Sequence, residues 1–153
     1  MFLKTQKAME LELKHLLPYL PYNLNVLYFS GYGEKTFAKM TIEVPEGKYK
    51  SPKNKYPISH ILSSNYAKAF PILRPLSDLT KEIEANGKRF VPIHYLDENF
   101  GKTKHKSSSI SFTDNYVEMA FYDEYQQLFE WNFDVFGLIK ENLAIDINLA
   151  AQI

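Results

Sequence analysis

The sequence predicts an α+β fold built as one compact domain spanning residues 1–153, with a small antiparallel sheet packed against about three to four helices. Three observations lead there. Short stretches of helical and of strand period are mixed along the chain without a βαβ rhythm. Apolar residues make up 45% of the chain and aromatic residues 15%, enough to offset the ordering entropy of a folded core. No internal repeat or linker divides the 153 residues into two cores.

Met9, Leu13, Leu16, Leu17 and Leu20 recur at helical spacing, with Glu10 and Lys14 paired on the flank; they predict a helix that Pro18 and Pro21 end near Leu17. Leu24 to Ser30 is aliphatic and aromatic, and in Phe37 to Val44 the set Ala38, Met40, Ile42 and Val44 alternates with Phe37, Lys39, Thr41 and Glu43. These are two strands of a hairpin turned at Gly31 to Lys35. Pro45 to Pro57 has neither period and reads as a loop. Ile58 to Leu62 and Ala69 to Leu73 are apolar runs, either of which could pair as a strand. Ser77 is placed as the N-cap of a helix with Asp78 in its first turn, Leu79 and Ile83 inward, and Asn86-Gly87 as its left-handed stop. Phe90 to Ile93 contains Pro92 and reads as a sheet edge or extended chain. Asp97 to Ser109 is a second polar loop. Asp123 and Gln126 have the spacing of a capping box for a last helix carrying Leu128, Trp131 or Asn132, and Val135, broken or bent at Gly137.

Charge is divided more sharply than hydrophobicity. The whole chain is formally neutral, yet residues 1–106 hold 17 of the 18 Lys and Arg against 10 of the 18 Asp and Glu, a charge of +7. Residues 107–153 carry −7, with Lys140 as their basic residue. Clusters of one sign select partners of the other sign, unless the two clusters pair with each other inside the molecule. Without cysteine the chain has no disulfide framework and no thiolate metal site, which fits a reducing compartment. Its N-terminus lacks the apolar run of a signal peptide, and no apolar run is long enough to span a bilayer. The expected location is the cytoplasm, with no membrane contact.

No catalytic, metal or cofactor motif rises above background. Ser30 to Thr36 imitates a phosphate loop, but Glu34 stands between Gly33 and Lys35, and a strand rather than a helix follows. His15, His60, His94 and His105 show no ligand spacing, and His15 is expected to pack or cap. Neither metal nor cofactor is expected.

Two surfaces are the candidate sites. The acidic, aromatic helical segment 110–153 offers Asp123, Glu124, Glu130, Trp131 and Asp134 for docking on a basic groove of another protein. The loops near 45–57 and 97–109 offer Lys48, Tyr49, Lys50, Lys53, Lys55 and Tyr56, then Lys102, Lys104 and Lys106, for phosphates and exposed bases of a single-stranded RNA.

Leu13 to Tyr22, Ile72 to Ile83, Leu128 to Ile139 and Leu143 to Asn148 together resemble a group of small proteins carried by phages and prophages. In that group a histidine often stands where this chain has Asn132. The lysine-rich loops fall between the similar blocks, which implies a common scaffold with variable loops. The resemblance further implies a non-enzymatic binder, in the cytoplasm of a bacterial host, that inhibits a defence effector such as a CRISPR nuclease. Protein contact would do this, with RNA contact in addition. Two other readings stay open: a nucleic-acid-binding accessory protein, and a hydrolase whose site joins His60 or His94 to a C-terminal acid.

Overall fold

A computed structural model describes residues 9–29, 33–42, 55–62, 69–100, 110–150 and 152. The fold is α+β, as expected. Its centre is a five-stranded sheet in the order β3-β2-β1-β4-β9, made of Asn25–Phe29 (β1), Lys35–Thr41 (β2), Lys55–Pro57 (β3), Ala69–Leu73 (β4) and Ile145–Asp146 (β9). β1 runs antiparallel to both β2 and β4, and a parallel strand joins each edge: β3 beside β2, and β9 beside β4. Two hairpins, Ile83–Ala85 with Lys88–Phe90 (β5, β6) and Ser111–Phe112 with Val117–Met119 (β7, β8), stand apart from it.

The first helix departs from its expected face. α1 covers only Leu13–Leu16 and passes into a 3₁₀ helix, Leu17–Tyr22, because Pro18 and Pro21 have no N–H for the α-helical ladder. A repeat of three residues replaces one of 3.6, so Leu16 and Tyr19 turn inward while Met9, Leu13 and Leu17 stay exposed. His15 caps and packs: its Nδ1 accepts the Glu12 N–H at 3.0 Å, and its ring meets the edge of Phe136 at 5.4 Å.

In the hairpin the expected alternation holds as far as Met40, while Ile42 of the same set lies beyond the end of β2 and is 59% exposed, and Val44 lies outside the described residues. Ala38 and Met40 point into the core, and Phe37 and Lys39 point out. Lys55–Pro57 is a strand and not loop, because Tyr56 is buried against Tyr28, whose ring centroid lies 4.6 Å away, across from Met40 in register. Of the two apolar runs, Ala69–Leu73 is the strand and Ile58–Leu62 is a helix, α2. Pro71 is tolerated in β4 because pairing with β9 begins one residue later, at Ile72.

Between Arg74 and Phe100 the expected helix is replaced by other elements. Pro75 precedes a short 3₁₀ helix, Leu76–Thr80, and Asn86-Gly87 is the two-residue turn of the β5–β6 hairpin, with φ of 53° and 75°. An Asn-Gly pair suits a helix stop and a hairpin turn equally, since both need positive φ. Pro92 starts α3 (Pro92–Phe100), the position where a missing N–H costs nothing.

The helix α4 spans Tyr122–Glu130, so Trp131, Asn132 and Val135, expected within it, lie beyond its end, and Gly137 does not bend it. Asn132, at φ 59°, closes it: the Phe133 N–H reaches Leu128 O at 2.9 Å and the Asn132 N–H reaches Phe129 O at 2.9 Å. The same closure recurs at Asn142, where Leu143 bonds back to Leu138 and Asn142 to Ile139. Between them, Gly137 holds φ 77°, and a Cβ there would lie 2.9 Å from the Asn115 carbonyl oxygen. A short helix, α5 (Ile147–Ala150), follows β9.

Apolar side chains gather in three clusters. The inner face of the sheet (Val26, Ala38, Met40, Leu73) packs on Leu16, Tyr19, Ile58, Ile61 and Leu138. A second cluster joins Leu76, Leu79, Leu96, Val117, Leu128, Trp131, Phe133 and Val135, and Phe129 touches both. A small third cluster lies on the outer sheet face, where Leu27 and Ile72 meet Ile145, Ile147 and Ala150. Tyr19 links the first two: its hydroxyl donates to the Phe133 carbonyl and accepts the Val135 N–H at 3.2 Å, fully buried.

Three outcomes follow. Tyr19→Phe removes both buried bonds of the hydroxyl and leaves the Phe133 carbonyl and the Val135 N–H with their mutual 2.9 Å bond, and should cost about 1–3 kcal/mol in urea unfolding. Gly137→Ala should cost a similar ~1–3 kcal/mol, from positive φ and the clash with Asn115. Burial, with the charge of Lys14, holds His15 below its ordinary pKa of 6.5, against a weaker pull from Glu12. The folded state therefore binds fewer protons than the unfolded chain, so this site's stability is present above pH 6.5 and is lost as pH falls through the depressed value. Thermal melts from pH 7.5 to 5 should show a smaller loss in His15→Gln than in the parent.

Candidate partner-binding surface

The acidic segment separates into buried and exposed groups. Glu124 is fully buried and accepts the Phe121 N–H at 3.0 Å, closing the first turn of α4. Trp131 is packed between Phe90, Tyr95 and Phe133, with centroids 4.9, 5.2 and 6.3 Å away. Asp134 is buried and accepts the Leu138 N–H at 2.8 Å and the Ile139 N–H at 2.9 Å, capping the turn that Asn142 ends. These three are corrected from partner contacts to structural parts, since none presents its side chain to another molecule. Asp123 and Glu130 remain exposed, Glu130 accepting from Gln127 at 2.8 Å.

Exposed aromatics occupy a place to which the charge pattern did not point. Tyr116, Met119, Phe121 and Tyr122 are 48, 62, 60 and 73% exposed, within seven residues at the end of the β7–β8 hairpin and the start of α4. Asp114, Glu118 and Asp123 are interleaved with them and exposed. Thr113 fixes the hairpin tip, its hydroxyl accepting the Asn115 and Tyr116 N–H groups at 3.2 and 3.1 Å. The Val117 N–H holds β8 to the Val135 carbonyl at 3.2 Å. Phe100, Phe121, Tyr122, Asp123 and Glu124 line a shallow groove of about 360 Å³ at this surface. The available signal was the polar-apolar run Asp114 to Asp123, whose apolar members have neither helix nor strand period facing a core.

A second depression, about 240 Å³, lies over Trp131 between Lys88, Arg89 and Glu130. Its rings are in mutual contact, with the Phe90 and Tyr95 centroids 5.5 Å apart, so no ammonium group fits among them as in an aromatic cage.

Of the basic candidates, Lys48, Tyr49, Lys50, Lys53, Lys102, Lys104 and Lys106 lie outside the described residues. Lys55 is exposed on β3. Tyr56, the next residue, is buried and meets the edge of His60 at 5.8 Å, which removes it from base stacking. The ion pairs Lys14–Glu12, Lys81–Asp78 and Arg89–Glu84 all lie within residues 1–106.

Groups with shifted proton affinity have structural causes. Burial raises Asp134 against the pull of the Ile139, Leu138 and Gly137 amides, and burial raises the Tyr19 hydroxyl well above its ordinary range. Burial also lowers Arg74, opposed by Asp78 and Asp146; its guanidinium lies over the Phe133 ring at 5.9 Å. Three of the C-terminal acids are committed locally, Asp134 to Leu138 and Ile139, Glu130 to Gln127, and Asp146 to the Asn148 N–H. Among the described residues, no group of three or more His, Asp or Glu could hold a metal ion, and no helix is long and apolar enough to cross a membrane. No family model, curated protein or solved structure matches the chain.

Proposed function

We propose that the chain is a non-catalytic binding protein whose acidic, aromatic surface at the start of α4 docks on a basic face of another protein. The observation that carries this reading is the run Asp114 to Asp123, where four large apolar side chains are held in water among three exposed carboxylates. Exposing contiguous apolar area forgoes about 25 cal/mol for each Å² left unburied, and burial against a partner recovers it. The carboxylates supply orientation and speed of encounter, drawing the rings toward lysine- or arginine-rich surfaces.

A nucleic-acid-processing enzyme offers such a surface in the groove that holds its own substrate. The resemblance to phage-borne proteins supports a bacterial defence effector, such as a CRISPR nuclease, as the partner, with inhibition by occupation of that groove. Purified effectors titrated against the chain should give a Kd below about 1 µM, weakened at least tenfold by Phe121→Ser with Tyr122→Ser and also by Asp123→Lys. Guide RNA should compete. Absence of binding at about 10 µM in moderate salt, or equal binding by these variants, rejects the reading.

A further inference from the structure

We propose that the outer face of β2 and β3 is a binding platform for single-stranded nucleic acid, with Lys35, Lys39 and Lys55 holding phosphates and Phe37 stacking on a base. Strand alternation sends Lys35, Phe37 and Lys39 to one side of β2, and all three are exposed. In the parallel pair Lys39 faces Lys55, which is also exposed. Phe29 stands opposite Lys35, and Leu27 lies between Phe37 and Phe70 across β1, so partly buried rings flank the exposed one.

Three features point to an anion with flat apolar parts. The outward positions of these strands carry three lysines and no aspartate or glutamate. Lys39 and Lys55 stand side by side about 5 Å apart, a repulsive arrangement that a phosphate between them relieves. Phe37 is 47% exposed between Lys35 and Lys39, which are roughly 13 Å apart along the strand, leaving one ring between two cationic sites.

The same outer face behaves differently at its other end. There α5 covers Leu27 and Ile72 through Ile147 and Ala150, whereas among the described residues Lys35, Phe37, Lys39 and Lys55 are exposed. A duplex buries its bases and offers none to a ring standing on a flat sheet, whereas unpaired bases stack on such a ring irrespective of sequence.

This platform is independent of the acidic surface. α4 packs through Phe129 against the inner-face cluster, so the two lie on opposite sides of the sheet.

Fluorescence anisotropy with labelled oligo-U and oligo-dT, read across a salt series, tests the proposal on the full chain. Binding should weaken with salt, and replacing Lys35, Lys39 and Lys55 together by alanine should flatten the logarithmic slope by about 2, near 0.7 for each phosphate no longer neutralised. Phe37→Ala should lower affinity at least about fivefold without changing that slope. Phe37→Leu, which keeps apolar bulk and loses the ring, should lower it too; circular dichroism serves as the check on folding for each variant. Phe121→Ser with Tyr122→Ser should bind oligonucleotide as the parent does.

The platform is rejected if the parent binds neither oligonucleotide, or if the sheet variants bind as tightly as the parent. It is equally rejected if only Lys48→Ala, Lys50→Ala and Lys53→Ala together abolish binding. Preference for anionic vesicles over oligonucleotide would assign the face to a lipid surface, and a Phe37-dependent dimer in sedimentation without oligonucleotide binding would assign it to a second copy; either result overturns the proposal.

Discussion

The architecture depends on one hydroxyl. Tyr19, from a proline-shaped 3₁₀ turn near the N-terminus, places its OH between the carbonyl of Phe133 and the amide of Val135, more than a hundred residues away in sequence. Segment 131–139 is neither helix nor long strand, so its backbone groups need partners from elsewhere. Arg74 supplies two more, its N–H to Asn132 and its carbonyl to Asp134, and thereby ties the end of β4 to the same segment. Val135 then returns its carbonyl to Val117, which fixes the β7–β8 hairpin. The exposed aromatics at the start of α4 thus inherit their position from a chain of backbone bonds that begins at a buried tyrosine.

That arrangement gives the altered proton affinities a structural origin. A buried carboxylate with a raised pKa is a familiar mark of an acid catalyst. Asp134, however, spends its oxygens on the amides of a turn, and the neighbouring Tyr19 hydroxyl both donates and accepts within the backbone. Desolvation is the main cause of both shifts. The altered affinities are the electrostatic cost of satisfying an irregular backbone in a dry interior.

Much of the fold was legible because period and punctuation agreed. The β1–β2 hairpin was visible from alternation, and the start of α4 from the spacing of Asp123 and Gln126, although the carboxylate that closes its first turn is Glu124, which accepts the Phe121 N–H. Ambiguity arose where one residue type serves two geometries: Asn86-Gly87 fits a helix stop and a hairpin turn, and Pro92 fits a strand edge and a helix start. Lys55–Pro57 was hidden since three residues carry no period, and its pairing with β2 is a long-range fact. The same limit applied to the sites. Composition located the acidic and the basic regions, but charge alone does not separate Asp123, which faces water, from Asp134, which closes a turn, or the exposed Lys55 from the buried Tyr56 beside it.

The opposed charge of the two parts of the chain acquires a spatial meaning through the sheet. Exposed lysines of β2 and β3 look outward on one side, and α4 with its carboxylates belongs to the layer on the other. A neutral protein so arranged has little long-range monopole field, but within a Debye length of about 8–10 Å the lysines of β2 and β3 and the carboxylates at the start of α4 each set a local field. Two partners of opposite charge can then approach without competing, a basic protein on the aromatic side and a phosphate chain on the lysine side. An enzyme that grips nucleic acid is basic and carries a phosphate chain, so both faces of this fold suit the parts of one complex.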